Sequence, residues 1–489
     1  MHASTFRQII ASFIISLSAL MSGSFFGWPS PVAQILRSER KPMNVTTYEE
    51  SWMVTCIEIG NLLTPLPTGY LMDAVGRRAS LIVSVPIAIT GWALIRCTKT
   101  VWGLYVARIL HGCAMAVAYT VVPIYVGEIA DDDKRGSLSL FFQGMISSGV
   151  LLVYVVGWMV SYDWLAVIMS AIPMLSVILL TIIPESPHYL MMKGEKDRAF
   201  KSLKWLRSTD NEAEIETELK SMTNLSSLNS TPDTLLKSSG RVLAVVLVMS
   251  TCQIFTGVGA LESYASSAFK MNGNRNAIAL GLVALSSDLM SAIIIGRFGR
   301  RPLLLISCVG CCISHSIAAY GMFSGEQNLM VLGALAGVMF FANAGIMPLV
   351  AAIVCEYFPT EHRAQANGIT QFVMTTASLI SLKIYQPINE AYGVYSNYVL
   401  FAAVGAFTTV FVYLVIPETK GLSFKEVEME LRKSGLKSKV VQDSKVGQEN
   451  KAFEGTNGGG EDRKVSEVGK DVSGDGDWNC CCVTIKHGP

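Results

Sequence analysis

Two glutamines, Gln143 and Gln253, stand inside apolar stretches of this chain. A primary amide carries two donors and an acceptor, and in hydrocarbon it must find partners for them. Sugar hydroxyls fit that need, and so do polar groups on neighbouring helices. On an ideal helix Gln253 shares a face with Gly257 and Tyr264, 4 and 11 residues further on. That face would combine an amide, open space and a flat ring for stacking. Asn343 lies in Ala342-Asn343-Ala344-Gly345-Ile346-Met347-Pro348. The glycine and proline predict either a mid-span break that offers backbone groups to a polar ligand or a kink that aids packing. Glu58, Glu262 and Asp288 are carboxyls inside apolar stretches. Each could carry a proton or pair with a neighbouring helix, and Glu262, nine residues after Gln253, points away from the amide face.

A second set of residues reads as mechanical. Glu128 and Arg135 are seven residues apart between two apolar segments, and Glu356 and Arg363 repeat that spacing in the second half. Gly76-Arg77-Arg78 is echoed by Gly299-Arg300-Arg301, and Pro184-Glu185-Ser186 by Pro417-Glu418-Thr419. Three marks recurring in one order define an internal repeat. Pairs among Arg77, Arg78, Glu128, Arg135, Arg300, Arg301, Glu356 and Arg363 would tie helix ends when a gate on that face is shut, and breaking them would free the halves to rock. The arginines also serve as topology signals.

The elements that must position these groups are spans. The chain is 51% hydrophobic and 16% charged with mean hydropathy +0.41, whereas soluble chains carry about a quarter charged residues. Net charge +1 gives no basic face for nucleic acid. Apolar runs of bilayer length predict an all-α polytopic protein with spans at roughly 9–27, 51–72, 79–97, 101–127, 137–160, 164–183, 241–268, 277–296, 303–322, 328–357, 365–388 and 396–416. These form a six-helix bundle over 1–183, a linker with short amphipathic helices over 184–240, a second bundle over 241–431 and a disordered tail over 432–489. Within the linker, 221–239 reads as flexible.

Arg77, Arg78, Lys134, Arg135, Arg297, Arg300, Arg301 and Arg363 fall in alternate loops, which places those loops and both termini in the cytoplasm. Asn44-Val-Thr46, a glycosylation sequon, then lies outside. Eight of the eleven cysteines lie in or beside apolar segments, and Cys480, Cys481 and Cys482 cluster near the C-terminus, where S-acylation or free thiols both fit. No zinc-ligand spacing, metal set or nucleophile–base constellation stands out, so neither an enzyme nor a cofactor is expected.

Gly69-x3-Asp73-x2-Gly76-Arg-Arg, Arg108-x3-Gly112, Pro123-x-Tyr125-x2-Glu128, Arg135-Gly136, Pro184-Glu-Ser-Pro187 and Pro417-Glu-Thr-Lys-Gly421 together resemble the sugar porter family of the major facilitator superfamily. Phe26-Gly-Trp-x-Ser-Pro31 with Ser51-Trp52 is most similar to insect facilitated trehalose transporters and facilitative glucose transporters. The resemblance covers about 1–430. It implies two pseudo-symmetric bundles, alternating access and a central sugar site, with Gln143 and Gln253 at sugar-contacting positions. The chain departs from the family pattern in its second half. Ile254 and Gly259 replace a glutamine and an asparagine, Ala284 and Met374 stand where asparagine is frequent, and the tryptophan of the tenth span is absent. Gly296 stands in place of an acid, and His188 in place of an arginine. Proton-coupled relatives carry an aspartate where this chain has Pro29.

The resulting expectation is a monomeric, multi-pass plasma-membrane facilitator for a neutral sugar, trehalose or a hexose. Gln143, Gln253, Tyr264 and Asn343 would hold the cargo. A sugar sensor signalling through the tail, and a proton symporter using Glu58 or Glu262, are the alternatives.

Overall fold

The computed structural model of the chain describes residues 3–37, 43–209, 211–225, 233–269, 271–325, 329–358 and 360–418. The described residues all fall within one compact unit. The stretch expected to be a disordered tail, with its three cysteines, lies outside the described residues.

Every expected span is helical. α1 (Ala3–Gly27) and α2 (Pro29–Arg37) make the first, and α3 (Thr47–Leu63) and α4 (Pro65–Val75) the second. α5 (Arg77–Cys97), α6 (Val101–Ile129), α7 (Asp132–Met159) and α8 (Tyr162–Leu180) complete the first half. Three short helices come next, α9 (Pro187–Met192), α10 (Lys196–Arg207) and α11 (Glu212–Leu225). The second half holds α12 (Asp233–Phe255), α13 (Val258–Tyr264), α14 (Gly273–Arg297), α15 (Arg300–Phe323), α16 (Leu329–Phe341), α17 (Met347–Tyr357), α18 (Thr360–Tyr392) and α19 (Tyr395–Val415). A 3-10 turn, Ala265–Ala268, adjoins the end of α13, and a π turn, Ala342–Ile346, joins α16 to α17. Residues 221–225 and 233–239 are helical, where composition predicts a flexible linker. Their serines and threonines lower helix propensity only slightly, and each stretch continues a longer helix.

The repeat seen in sequence is a repeat of packing. α1 packs on α7, α3 on α6 and α5 on α8 in the first half; α12 on α18, α14 on α16 and α15 on α19 do the same in the second. Lipid provides no hydrophobic drive between helices, so close backbone approach matters. Gly60 and Gly112 press on facing backbone between α3 and α6, and Gly23 and Gly149 do so between α1 and α7.

Among the described residues, ten segments are long and apolar enough to cross a membrane. The two other expected spans, 51–72 and 365–388, are α3–α4 and α18. α3–α4 breaks at Thr64–Pro65 and carries Glu49, Glu50, Glu58 and Asp73. α18 carries Lys383 and Glu390. These helices pack on one another across the halves, where Glu58 and Lys383 meet groups of the opposite half, whereas Asp73 and Glu390 are exposed. α7–α14 forms the other cross-half seam, and α1 and α2 meet α13 and the 3-10 turn.

Candidate functional site

The chain breaks its helices where the amide site lies, and it satisfies the freed backbone groups. α12 ends at Phe255, and Gly257 takes φ +81°, a region that favours glycine. His315 on α15 bonds the freed Thr256 carbonyl at 2.8 Å, so Nε2 carries the proton. A β-carbon at position 257 would run into the Phe401 ring. The ideal-helix argument therefore does not carry across this break. Gly257 is filled by Phe401 and leaves no space for a ligand, and Tyr264 belongs to a separate short helix. The π turn corrects a second expectation. Its freed Phe341 carbonyl and Ile346 N–H both bond the Ser307 hydroxyl, at 2.6 and 3.0 Å. They are therefore already paired, and a ligand would have to compete with Ser307 for them.

The side chains around these breaks do face one another. Gln253 is 6% exposed; its Nε2 donates to Met347 Sδ at 3.0 Å, and its Oε1 has no partner among the described residues. Thioether sulfur is a weak acceptor. Asn343, four residues before Met347, is buried, and its Nδ2 reaches Met339 Sδ at 4.0 Å. The site thus sets two amides among methionines. Tyr264 is buried, and its ring stacks on Tyr385 of α18 at 4.6 Å and 11°. Gln143 is half-buried and has no hydrogen-bond partner among the described residues. It shares a face of α7 with Ser147, Leu151 and Tyr154, and that face meets the second half. Ser147 bonds Asp288, Tyr154 bonds the Glu262 carbonyl, and Leu151 lies against Gly281.

The buried carboxyls lie on the two seams. Glu58 accepts from Asn61 at 3.0 Å and from Ser378 of α18 at 2.7 Å, and Asn61 also reaches Thr375 at 3.4 Å. On the other seam Asp288 takes the Ser147 hydroxyl, and its Oδ1 has no partner among the described residues. Each seam is therefore joined by a carboxyl from one half and a serine from the other. Glu262 and Asp288 lie within electrostatic reach of each other, and Tyr119 within reach of both Glu58 and Glu262. Nearby Arg108 is fully buried, but it directs its donors to the Met53 and Phe25 carbonyls, at 3.1 and 2.5 Å, and covers the Trp28 face. Sequence reasoning found Glu58 and Asp288 but not their serine partners, since a serine in a span carries no signal of its own. It passed over Lys383, whose charge within an apolar run was the available clue.

The charged helix ends form ties within each half. Arg77 grips Glu128 through Nε and Nη2, each at 2.9 Å, and Ser186 also bonds Glu128. Glu185 accepts from the backbone N–H groups of Arg77 and Arg78 at the start of α5, at 3.0 and 3.1 Å. In the second half Glu418 does the same for Arg300 and Arg301 at the start of α15, at 2.8 and 3.1 Å. A carboxylate at a helix N-terminus meets both orphan donors and the positive end of the dipole. Arg300 and Arg301 also donate to the Ile295 and Tyr413 carbonyls, at 2.7 and 2.6 Å. All these partners lie inside one half, so the described ties hold each bundle together. The side chains of Arg135, Glu356 and Arg363 are outside those described. Arg207 of α10 pairs with Asp131 at 2.8 Å and Glu218 at 2.6 Å, fastening the short helices to the end of α6.

Outside the spans, Asn44 is exposed. Thr46 caps α3 in a reciprocal box with Glu49. Bonds from the Thr46 backbone N–H and then its hydroxyl hold the Glu49 carboxyl below its usual range.

A model of the family described as sugar (and other) transporter matches residues 11–431. A facilitated trehalose transporter, the Tret1-2 homolog of Drosophila sechellia, is 28% identical over 448 residues, spanning 87% of this chain and 91% of that protein. Facilitated glucose transporter member 8 of solute carrier family 2 from Mus musculus is 28% identical over 457 residues, spanning 86% and 94%. Among solved structures, the inward-open xylose transporter XylE from E. coli aligns at a TM-score of 0.74 and 20% identity, covering 86% of this chain and 98% of that one, a likeness of fold.

Proposed function

The chain belongs to the sugar (and other) transporter family, and from that premise we propose that it moves a neutral sugar, trehalose or a hexose, by facilitated diffusion. The observation that carries the choice of site is the Gln253 amide. Among the described residues its oxygen is buried without a partner and its N–H meets a thioether, so a cargo hydroxyl would add partners to both. Asn343 adds a second amide from the span that carries Met347. Gln143 adds a third group from the opposite half, and Tyr264 with Tyr385 forms an aromatic wall. The names of the trehalose and glucose relatives support the cargo class. Facilitated transport is supported by Pro29, which stands where proton-coupled relatives place an aspartate.

Alternating access would work by rocking the halves about this site. Glu185 and Glu418 keep each half rigid, and the charges from Arg77 to Arg363 guard the face that carries the Gly-Arg-Arg loops. Loop charge supports that face as cytoplasmic, with both termini inside, and we propose a monomer in the plasma membrane. Replacing Gln253 by Ala removes one or two hydrogen bonds to cargo. It should raise KM about 3- to 10-fold at unchanged surface level. Unchanged uptake kinetics would remove Gln253 from the site. A proton-coupled mechanism draws on one observation, the seam carboxyls Glu58 and Asp288. Glu58→Gln and Asp288→Asn should leave facilitated uptake without any new pH dependence.

A further inference from the structure

Lys383 lies in α18, nine residues before its Tyr392 end, and cargo binding and rocking as described give it no role. Its ammonium sits 4.0 Å from the centroid of Trp52 and 4.4 Å from that of Tyr48. It donates to the Ser51 hydroxyl at 3.0 Å. The two rings stand nearly perpendicular, 6.5 Å apart. Tyr48, Ser51 and Trp52 all belong to the first turns of α3, in the other half of the protein. Lys383 forms no ion pair among the described residues. A cation placed between two aromatic faces and a hydroxyl of the opposite half has a defined partner set, and that set lies at the face away from the Gly-Arg-Arg loops.

We propose that Lys383 is a positioning residue for transport: a cation–π latch across the α3–α18 seam that holds the far face shut. The inference rests on the alternating-access reading. Neutral contacts also cross between the halves at that face. Ser266 bonds Ser30, and Gln34 Nε2 donates to the Ser266 carbonyl at 3.0 Å. Arg275 of α14 lies over the Trp158 ring of α7 at 5.6 Å, and Arg96 pairs with Asp163 at 3.3 Å within the first half; Lys383 adds a cation held by two rings and a hydroxyl of the opposite half. Deeper in the same seam, Glu58–Ser378 and Asn61–Thr375 provide the points about which the helices would turn. Opening the far face lifts the lysine off the rings. An ammonium on aromatic faces keeps part of its hydration, so the latch can release without stranding a buried carboxylate partner. Arginine stacks on aromatic faces as well as lysine does, whereas a methionine of similar length keeps the packing and loses the charge.

The test is hydrogen exchange on the full chain in lipid nanodiscs without cargo, comparing the native protein with Lys383→Met, Trp52→Leu and Lys383→Arg. The Met and Leu variants should raise exchange on the order of 10-fold at 29–37 and 258–268, far-face segments that neither substitution alters. The Arg variant should match the native protein. Unchanged exchange at those two segments, a change confined to 47–58, or an equal rise in the Arg variant would overturn the latch. Trp52→Leu carries the same test should Lys383→Met fail to fold. Because no sugar is present, an absence of sugar uptake would count against the cargo reading and leave this result standing.

Discussion

Gln253 shows how a single side chain can be legible in sequence while its surroundings are not. An amide in an apolar run demands an explanation, and that demand is visible without a structure. Its partner, the Met347 sulfur, is not, because a methionine in a span is unremarkable by composition. The same holds for Glu58 and Asp288, whose cost in lipid is evident but whose serine partners come from helices hundreds of residues away. Thr46 carries a prediction at this scale, because it is both the third residue of the sequon and the cap of α3. Asn44→Gln should abolish the glycan seen as a gel shift and leave α3 intact. Thr46→Ser should keep both. Thr46→Ala should lose the glycan and also about 1 kcal/mol of cap, read as faster exchange at 47–52. The capped Glu49 has a lowered folded pKa, so its contribution is present above the unfolded value of 4.5 and is lost as pH falls through the folded one. Protection at the start of α3 should therefore decline on acidification below about 4.5, and Glu49→Gln should flatten that decline.

At the scale of elements, hydropathy read every span, yet it misjudged how spans are interrupted. Glycine and proline in 342–348 predict either an open break or a packing kink, and the backbone widens into a π turn whose orphan groups Ser307 closes. The break in the seventh span had no proline to announce it. It depends on Gly257 in a left-handed conformation, on Phe401 filling the space beside it and on His315 reaching its carbonyl. Gly257→Ala should therefore cost more than the ~1 kcal/mol of a left-handed residue, since the Phe401 ring must also move. His315→Leu should cost about 1 to 3 kcal/mol by leaving the Thr256 carbonyl unpaired. Thermal unfolding in detergent should show both losses. If His315→Leu matches the native midpoint, the break is not held from α15. The spans missed by the apolar-length criterion, α3–α4 and α18, are also informative. Within them Glu58 and Lys383 are tolerated because they meet Ser378 and Ser51 of the opposite half.

At the scale of the molecule, two halves with matching packing are joined along two seams, each pinned by a carboxyl and a serine, and they touch again at the face away from the Gly-Arg-Arg loops. The described ties among charged ends from Arg77 to Glu185 and from Arg300 to Glu418 lie within the halves, which suits two rigid bodies moving past each other. The repeat of Gly-Arg-Arg, Glu and Pro-Glu-Ser/Thr was legible because it is local in sequence. The seams were not, because they join distant helices whose register no local pattern records. The proposed site sets the Gln253 and Asn343 amides beside Met347 and Met339. The direct measurement is uptake of labelled trehalose, glucose and fructose by cells bearing the protein at a verified surface level, with and without a protonophore. Saturable uptake of at least one of the three, unchanged by the protonophore, is the predicted result. Absence of uptake for all three, or its collapse with the protonophore, would contradict a facilitator of neutral sugar.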